Sequence, residues 1–387
     1  MNNMFKQDND ANDFEKKLYG KGLGGFIPNE TGPKMPRPNT LSCLADWGGC
    51  GFYRSIIPEL LLQSEAKIVP IQTTIFPSTQ FISIMDTIRF QRQTTSGQYD
   101  VFCEYIKVRD ALAQNNKKRL KIVYELDDLV HEISKVSNPR GWKYYSFGSN
   151  KSNVIQMMKQ SDLVTFATGY LQDYYYNKYE INNSIVVPNY IPRFLFGFDK
   201  REDYLENDKP NVGVTGSFTH FMEDWQSPFD VIKKNVNKCN FHIGAGIPPE
   251  LAKYKSKKTV NFFDWKPMFE YPRFLHDLKL DVAFLGLMES NFNKAKSDLK
   301  LLEMSALGIP CICSAIDSDG KPWGPYKNAP LKVSDDVKEW NEAFERLLTD
   351  KEFYGRIRDE QYEYVKDRFM EDNLMELYIV YCSAGHV

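Results

Sequence analysis

At 387 residues, with 42% hydrophobic and 26% charged residues, the chain is too long for one small core and too apolar for a disordered polymer, so two globular domains are expected. A formal net charge of −2 argues against a protein that coats nucleic acid through its overall field, although 49 Lys and Arg residues leave room for a local basic groove. The seven cysteines are odd in number and scattered through apolar runs, which excludes a disulfide framework and reads as buried thiols in a reducing compartment. Cys311 and Cys313 have no second Cys/His pair at ligand spacing, so no metal site is expected.

In chain order, residues 1–40 are rich in Gly and Pro and read as a tail or wrapping segment. Met1–Lys17 is polar and acidic, unlike a secretory signal, and no apolar run approaches the ~18 residues of a membrane span. The expectation is a cytoplasmic protein. From residue 41 short β-rich runs alternate with helical stretches, the pattern of parallel βα units. In the first half, strands are expected at 41–45, 66–74, 100–106, 120–126, 163–167 and 184–188, and helices at 51–64, 83–93, 152–160 and 169–178. The polar stretch 193–210 reads as a linker. Strands restart at 211–215, 240–244, 259–263, 282–287 and 310–314, and 337–381 is helical and charged. The fold class is therefore α/β: a Rossmann-like domain over 41–200, a second over 201–362, and a C-terminal helix over 363–387 returning to the first. A ligand belongs in the crevice between the domains, at the carboxyl ends of the strands.

The most informative segment is 291–314. Ser297 suits a helix N-cap, Asp298 the positive end of the helix dipole, and Gly308 with Pro310 the helix end. Lys296, Lys300 and Glu303 are spaced i, i+4, i+7 and fall on one helical face. Such a face holds a nucleoside diphosphate-sugar: ammonium groups and helix N–H groups take the diphosphate, and a carboxylate takes the ribose diol. A solvated Lys/Glu face is the plainer alternative.

The run Lys296–Ser314 resembles the donor-binding segment of GT-B glycosyltransferases of the family 4 kind. Glu303 matches the ribose-binding Glu of that pattern, whereas Ala295 stands eight residues earlier where the pattern has another Glu. Asn291, Asn293 and Lys294 are the nearby replacements. The form Asn-x-x-Lys-Ser-x-x-Lys-x-x-Glu is similar to a branch common in tailed bacteriophages, and the resemblance extends over about residues 41–380. It implies a GT-B architecture, a UDP-sugar as substrate, retention of configuration, no tightly bound cofactor and no required divalent metal.

Other segments join this one. Gly48, Gly49 and Gly51 after the first strand allow close approach to an anion, and Arg54 adds charge. Gly216, Ser217 and Thr219 suit a phosphate cradle, while His220 is either a phosphate or sugar contact or a satisfied structural group. Asp127, Asp128 and His131 end a strand, where the carboxylates bind acceptor hydroxyls, assist proton transfer or orient His131, or one of them caps the next helix. Pro188-Asn189 resembles the turn closing the first domain, and Trp265 either flanks the base or is simply packed.

For the acceptor, bacteriophage relatives imply hydroxymethylcytosine in double-stranded DNA. Arg140, Trp142, Lys143 and Tyr144, with the basic run 117–121, offer charge and interleaved aromatics for it. These residues suit a cell-envelope polysaccharide equally. An inactive nucleotide- or DNA-binding module of the same fold, and a sugar-nucleotide epimerase, remain alternatives.

Overall fold

The computed structural model describes residues 37–115, 119–136, 138–199, 204–205, 209–215, 222–244 and 246–381. All elements below belong to the compact unit Pro38–Val387. The first sheet comprises β1 (Asn39–Cys43), β2 (Val69–Thr73), β3 (Thr87–Gln91), β4 (Lys121–Leu126), β5 (Leu163–Phe166) and β6 (Ser184–Val186), ordered β2-β1-β3-β4-β5-β6. Every neighbouring pair is parallel, with Leu41 beside both Ile71 and Ile88. The second comprises β7 (Asn211–Val214), β8 (Asn240–Gly244), β9 (Val260–Phe263), β10 (Val282–Leu285), β11 (Cys311–Ser314) and β12 (Lys332–Val333), ordered β12-β11-β10-β7-β8-β9 and again parallel.

Strand order reverses between β1 and β3 in the first sheet and between β7 and β10 in the second. Connections leave in opposite directions there, opening a crevice beyond the carboxyl ends of the strands. The Gly-rich turn follows β1, and the Lys/Glu segment follows β10.

Helices cover the sheets. They include α1 (49–64), α2 (Ser96–Gln114), α3 (Pro139–Ser146), α4 (Asn150–Gln160), α5 (Gly169–Tyr179), α6 (Gln226–Asn235), α7 (Tyr271–Asp277), α8 (Asn291–Lys294), α9 (Leu299–Ala306), α10 (Val337–Thr349), α11 (Lys351–Val365) and α12 (Leu374–Ile379). In the second domain Phe284 of β10 meets Trp340 and Phe344 of α10 edge-on, at ring separations of 5.6 and 5.2 Å. All three are fully buried, and truncating such a ring to Ala costs about 3–5 kcal/mol.

Two expected elements are exchanged. Residues 83–93, read as helical, contain strand β3, and residues 100–106, read as a strand, lie inside α2. Arg89 and Gln91 broke the apolar pattern of the strand, yet both are buried in polar contacts: Arg89 bonds the Arg54 carbonyl and Ser55, and Gln91 bonds the Cys50 carbonyl. For α2, Thr95 and Gln98 form a capping box that starts a helix. The helix then buries Phe102 and Tyr105 at i, i+3 spacing despite the β-prone composition. The two-residue strand β12 was not anticipated.

The last described residues pack on the first sheet's side of the molecule. α12 packs against α1, the Tyr381 carbonyl accepts from Thr87 at 2.8 Å, and its hydroxyl donates to Glu59 at 2.9 Å.

Candidate functional site

The second-domain half of the site is built on the turn after β10. A Cβ at Gly286 would lie 2.3 Å from the Asp224 carbonyl oxygen, so only glycine lets these backbones approach. Asp224 Oδ1 then accepts from the Met288 N–H at 2.9 Å and from Asn293 Nδ2 at 2.7 Å. Asn293 Nδ2 also donates to the Met288 carbonyl at 2.9 Å, and Ser290 caps α8. Burial pushes the Asp224 carboxyl up to about 6. Asn293, expected in contact with the donor, is fully buried and fastens this turn instead.

The chain next makes a turn at 295–298 and enters α9. Ser297 is not the N-cap; that position falls to Asp298. Ser297 Oγ accepts a 2.7 Å bond from Asn189 of the first domain, while the Asp298 carboxylate takes bonds of 2.9 and 3.1 Å from Arg368 and one of 2.5 Å from Tyr364. Lys296 therefore precedes the helix rather than lying on it, with its Nζ 4.8 Å from the Phe292 ring centroid. Lys300 Nζ lies 5.3 Å from the Trp225 ring centroid. Burial, then the Lys296 charge, lowers the Lys300 ammonium to about 8 against the pull of Glu303 and Asp224. Burial raises the Glu303 carboxyl to about 7, opposed by the Tyr53 hydroxyl and Lys300. Two ammonium groups and a carboxylate thus share one wall, and no metal-holding group of three or more His, Cys, Asp or Glu occurs among the described residues.

Ala295 is fully buried and packs with the first-domain core, and its carbonyl accepts from Thr168 at 2.9 Å. An apolar socket explains why no carboxylate stands there. Of its suggested replacements, Asn291 accepts from Tyr170 at 3.0 Å and Lys294 pairs with Glu289 at 2.5 Å. Trp265 follows β9 and is 57% exposed, so it is a surface ring rather than a packed one. Gly216, Ser217, Thr219 and His220 lie outside the described residues.

On the first-domain side, Gly51 is dictated by the turn: a Cβ would sit 2.0 Å from the Asp46 carbonyl oxygen. Asp46 Oδ1 accepts from the Gly48 N–H at 2.7 Å, whereas a Cβ at Gly49 would meet nothing. The turn leads into α1, whose segment Phe52–Ile56 is π-helical. Arg54, expected as free charge for the donor, is buried and committed elsewhere. It donates to Glu125 at 2.7 Å, to the Val187 carbonyl at 2.6 Å and to Asn189 at 3.0 Å.

Asp127 and Asp128 both bind the guanidinium of Arg92, which adopts φ +52° at the end of β3. Burial raises the Asp127 carboxyl to about 6 while Arg92 pulls it down. His131 is not oriented by either Asp. Its Nδ1 lies 3.2 Å from the Tyr175 hydroxyl, and burial with Lys151 and Lys178 lowers the imidazole to about 3. It is a neutral ring in an aromatic cluster, with Tyr175 and Tyr179 at 5.5 and 6.0 Å. A general-base role does not fit it.

Along α3, Arg140, Lys143 and Tyr144 are exposed, and Trp142 is half-buried beneath Lys135, whose Nζ lies 4.8 Å from the ring centroid. Tyr144 meets Tyr145 edge-on, and Tyr145 is an electrostatic neighbour of Arg92, Cys50 and Asp127. Exposed α3 is thereby joined to the carboxylate cluster. The basic run 117–121 divides: Lys117 and Lys118 lie outside the described residues, and Lys121 bonds the Ile379 and Val380 carbonyls at the C-terminal end of α12.

Sequence reasoning missed Arg92, Asp224, Trp225 and Tyr53. Tyr53 spans the cleft, its hydroxyl donating to Glu303 Oε1 at 2.6 Å. None of these belongs to a spacing pattern, because each partner is distant in sequence.

No protein-family model matches the sequence, and no curated protein matches it. Solved structures do. The chain is similar to Anabaena Alr3699/HepE in complex with UDP and glucose, at TM-score 0.57 and 12% identity over 88% of this chain and 98% of that one. It is similar to an alpha-glucosyltransferase in complex with UDP-glucose and DNA containing an abasic site, at TM-score 0.57 and 13% identity over 88% and 98%. It is also similar to WaaG, a glycosyltransferase involved in lipopolysaccharide biosynthesis, at TM-score 0.54 and 11% identity over 89% and 100%. At these identities the likeness is one of fold, and it covers nearly the whole of each neighbour. Two parallel six-stranded sheets clothed in helices, with matching architecture in these neighbours, give the chain the GT-B glycosyltransferase fold.

Proposed function

We propose that this protein is a retaining glycosyltransferase that takes its sugar from a UDP-sugar and delivers it to a hydroxyl acceptor. The observation that carries the reading is the half-buried Lys300 beside the buried Glu303 on α9, at the carboxyl end of the second sheet and facing the first domain through Tyr53. Lys296 and Lys300 neutralise the diphosphate, and Glu303 accepts from the ribose hydroxyls. In transfer, the bond from the anomeric carbon to the diphosphate oxygen breaks, and its electron pair leaves on that oxygen beside the two ammonium groups. The acceptor oxygen bonds the anomeric carbon, and its proton passes to the departing diphosphate. A leaving-group mechanism suits the first domain, where His131 is buried and only weakly basic, and Asp127 and Asp128 are held by Arg92.

The acceptor reading is hydroxymethylcytosine in duplex DNA. It is supported by the exposed Arg140, Lys143 and Tyr144 on α3 and by the fold likeness to a transferase captured with DNA. Hydroxymethylated and unmodified duplexes, incubated with a panel of UDP-sugars and digested to nucleosides for mass spectrometry, test it. A sugar-sized mass gain confined to the hydroxymethylated base is expected. UDP release without any such gain rejects the DNA acceptor and favours a polysaccharide.

A further inference from the structure

Tyr53 is 4% exposed and sits among apolar neighbours, its ring 5.1 Å from Phe52 and edge-on to it, while Phe52 in turn meets Phe269 at 4.9 Å. Phe would fill that space equally well, and a buried tyrosine hydroxyl needs a partner. The partner is Glu303 Oε1, 250 residues further along the chain, at 2.6 Å. Among the described residues Glu303 makes no other hydrogen bond, so Oε2 stays available. Backbone geometry brings the hydroxyl there. Tyr53 lies in the π-helical segment Phe52–Ile56, whose wider turn re-aims side chains relative to a regular helix, as such segments do at functional sites. The neighbouring Arg54 anchors this turn to Glu125, Val187 and Asn189, which fixes the reach of Tyr53 across the cleft.

We propose that Tyr53 is a positioning residue for the donor nucleotide: from the first domain it holds Oε1 of Glu303, so that Oε2 is presented to the ribose hydroxyls. The proposal rests on Glu303 being the ribose acceptor. It makes donor affinity depend on a contact supplied by the acceptor-side domain. It also biases Glu303 toward the ionised form against the effect of burial, because a hydroxyl donating to a carboxylate favours that form.

The test uses the full chain and three variants, Tyr53→Phe, Glu303→Ala and the double variant, titrated with UDP and separately with pyrophosphate between about pH 6 and 9. Tyr53→Phe is expected to weaken UDP binding about tenfold at neutral pH and leave pyrophosphate binding unchanged. It is also expected to move the acid limb of the UDP profile to higher pH. In the Glu303→Ala background, Tyr53→Phe adds no further loss. Unchanged UDP affinity and an unmoved acid limb in Tyr53→Phe, with Glu303→Ala still weakened, overturn the proposal alone. An equal loss of UDP and pyrophosphate binding overturns it as well, by showing a general loss of packing. Undiminished UDP binding by Glu303→Ala removes the ribose site itself and the proposal with it.

Discussion

The ammonium of Lys300 lies 5.3 Å from the centroid of the Trp225 ring, so a half-buried cation rests on an aromatic face instead of in water. Asp224 and Glu303 help hold its charge, yet Lys296 repels it and burial disfavours it. The resting site therefore carries a positive charge that an anionic ligand relieves. That charge is held at the expense of stability.

That balance predicts a stabilising substitution. The folded-state value of Lys300 is lowered from 10.5 to about 8, so its contribution is favourable above the unfolded value and is lost as pH falls through 8. At pH 7 the charged form destabilises the protein. Lys300→Met should stabilise the protein at pH 7 by on the order of 1 kcal/mol, discounted because the side chain is partly exposed to solvent, and should raise the melting temperature accordingly. The advantage should disappear near pH 10. Thermal melts across that range check it.

Donor affinity should follow a bell-shaped pH profile. In the proposed donor site Glu303 would accept from ribose as a carboxylate, which forms as pH rises through about 7, and Lys300 carries its charge until pH rises through about 8. UDP affinity is expected to peak between those values and fall by up to about tenfold per pH unit on either side. Glu303→Gln should flatten the acid limb and Lys300→Met the alkaline limb in calorimetric titrations.

Arg92 carries a structural prediction for the first domain. Arg92→Ala leaves Asp127 and Asp128 without the guanidinium they share, and should cost about 2–4 kcal/mol at pH 8. Asp127 titrates at about 6, above its ordinary 3.8, so its protonated form is the one that folding favours. Without Arg92, which pulls it down, Asp127 rises further, so the loss should shrink as pH falls toward 6 and level off below it, where the carboxyl is protonated in both proteins. Denaturant unfolding at pH 5 and pH 8 measures the difference.

The local structure of the candidate site was legible where it depends on near neighbours in sequence. The Gly-rich turn after β1, the strand-end carboxylates at Asp127 and Asp128, and Lys300 with Glu303 on one helix all follow from spacing within a few residues. The exchange of β3 and α2 shows where such reading fails. Arg89 and Gln91 look like exposed polar positions until Ser55 and the Cys50 carbonyl, brought by α1, satisfy them. Arg54 looks like a free cation until Glu125 reaches it from β4. Tyr53, Asp224 and Arg92 acquire their meaning only from partners the fold supplies.

The departure at Ala295 is testable in the same terms. Restoring a carboxylate by Ala295→Glu should destabilise the protein by about 2 kcal/mol or more rather than improve donor binding, because the side chain would enter the first-domain core. Unfolding and UDP titration of that variant give both readouts.

Release of UDP from a panel of UDP-sugars shows whether the α9 face binds and activates a nucleotide-sugar. Wild-type protein should release UDP from at least one donor in the absence of acceptor. Lys300→Ala should lower that rate by about a hundredfold, in line with loss of a charge-stabilising group at a departing oxygen. A wild-type rate from Lys300→Ala, or no UDP release from any donor by a protein that still binds UDP, would rule out donor activation by this face.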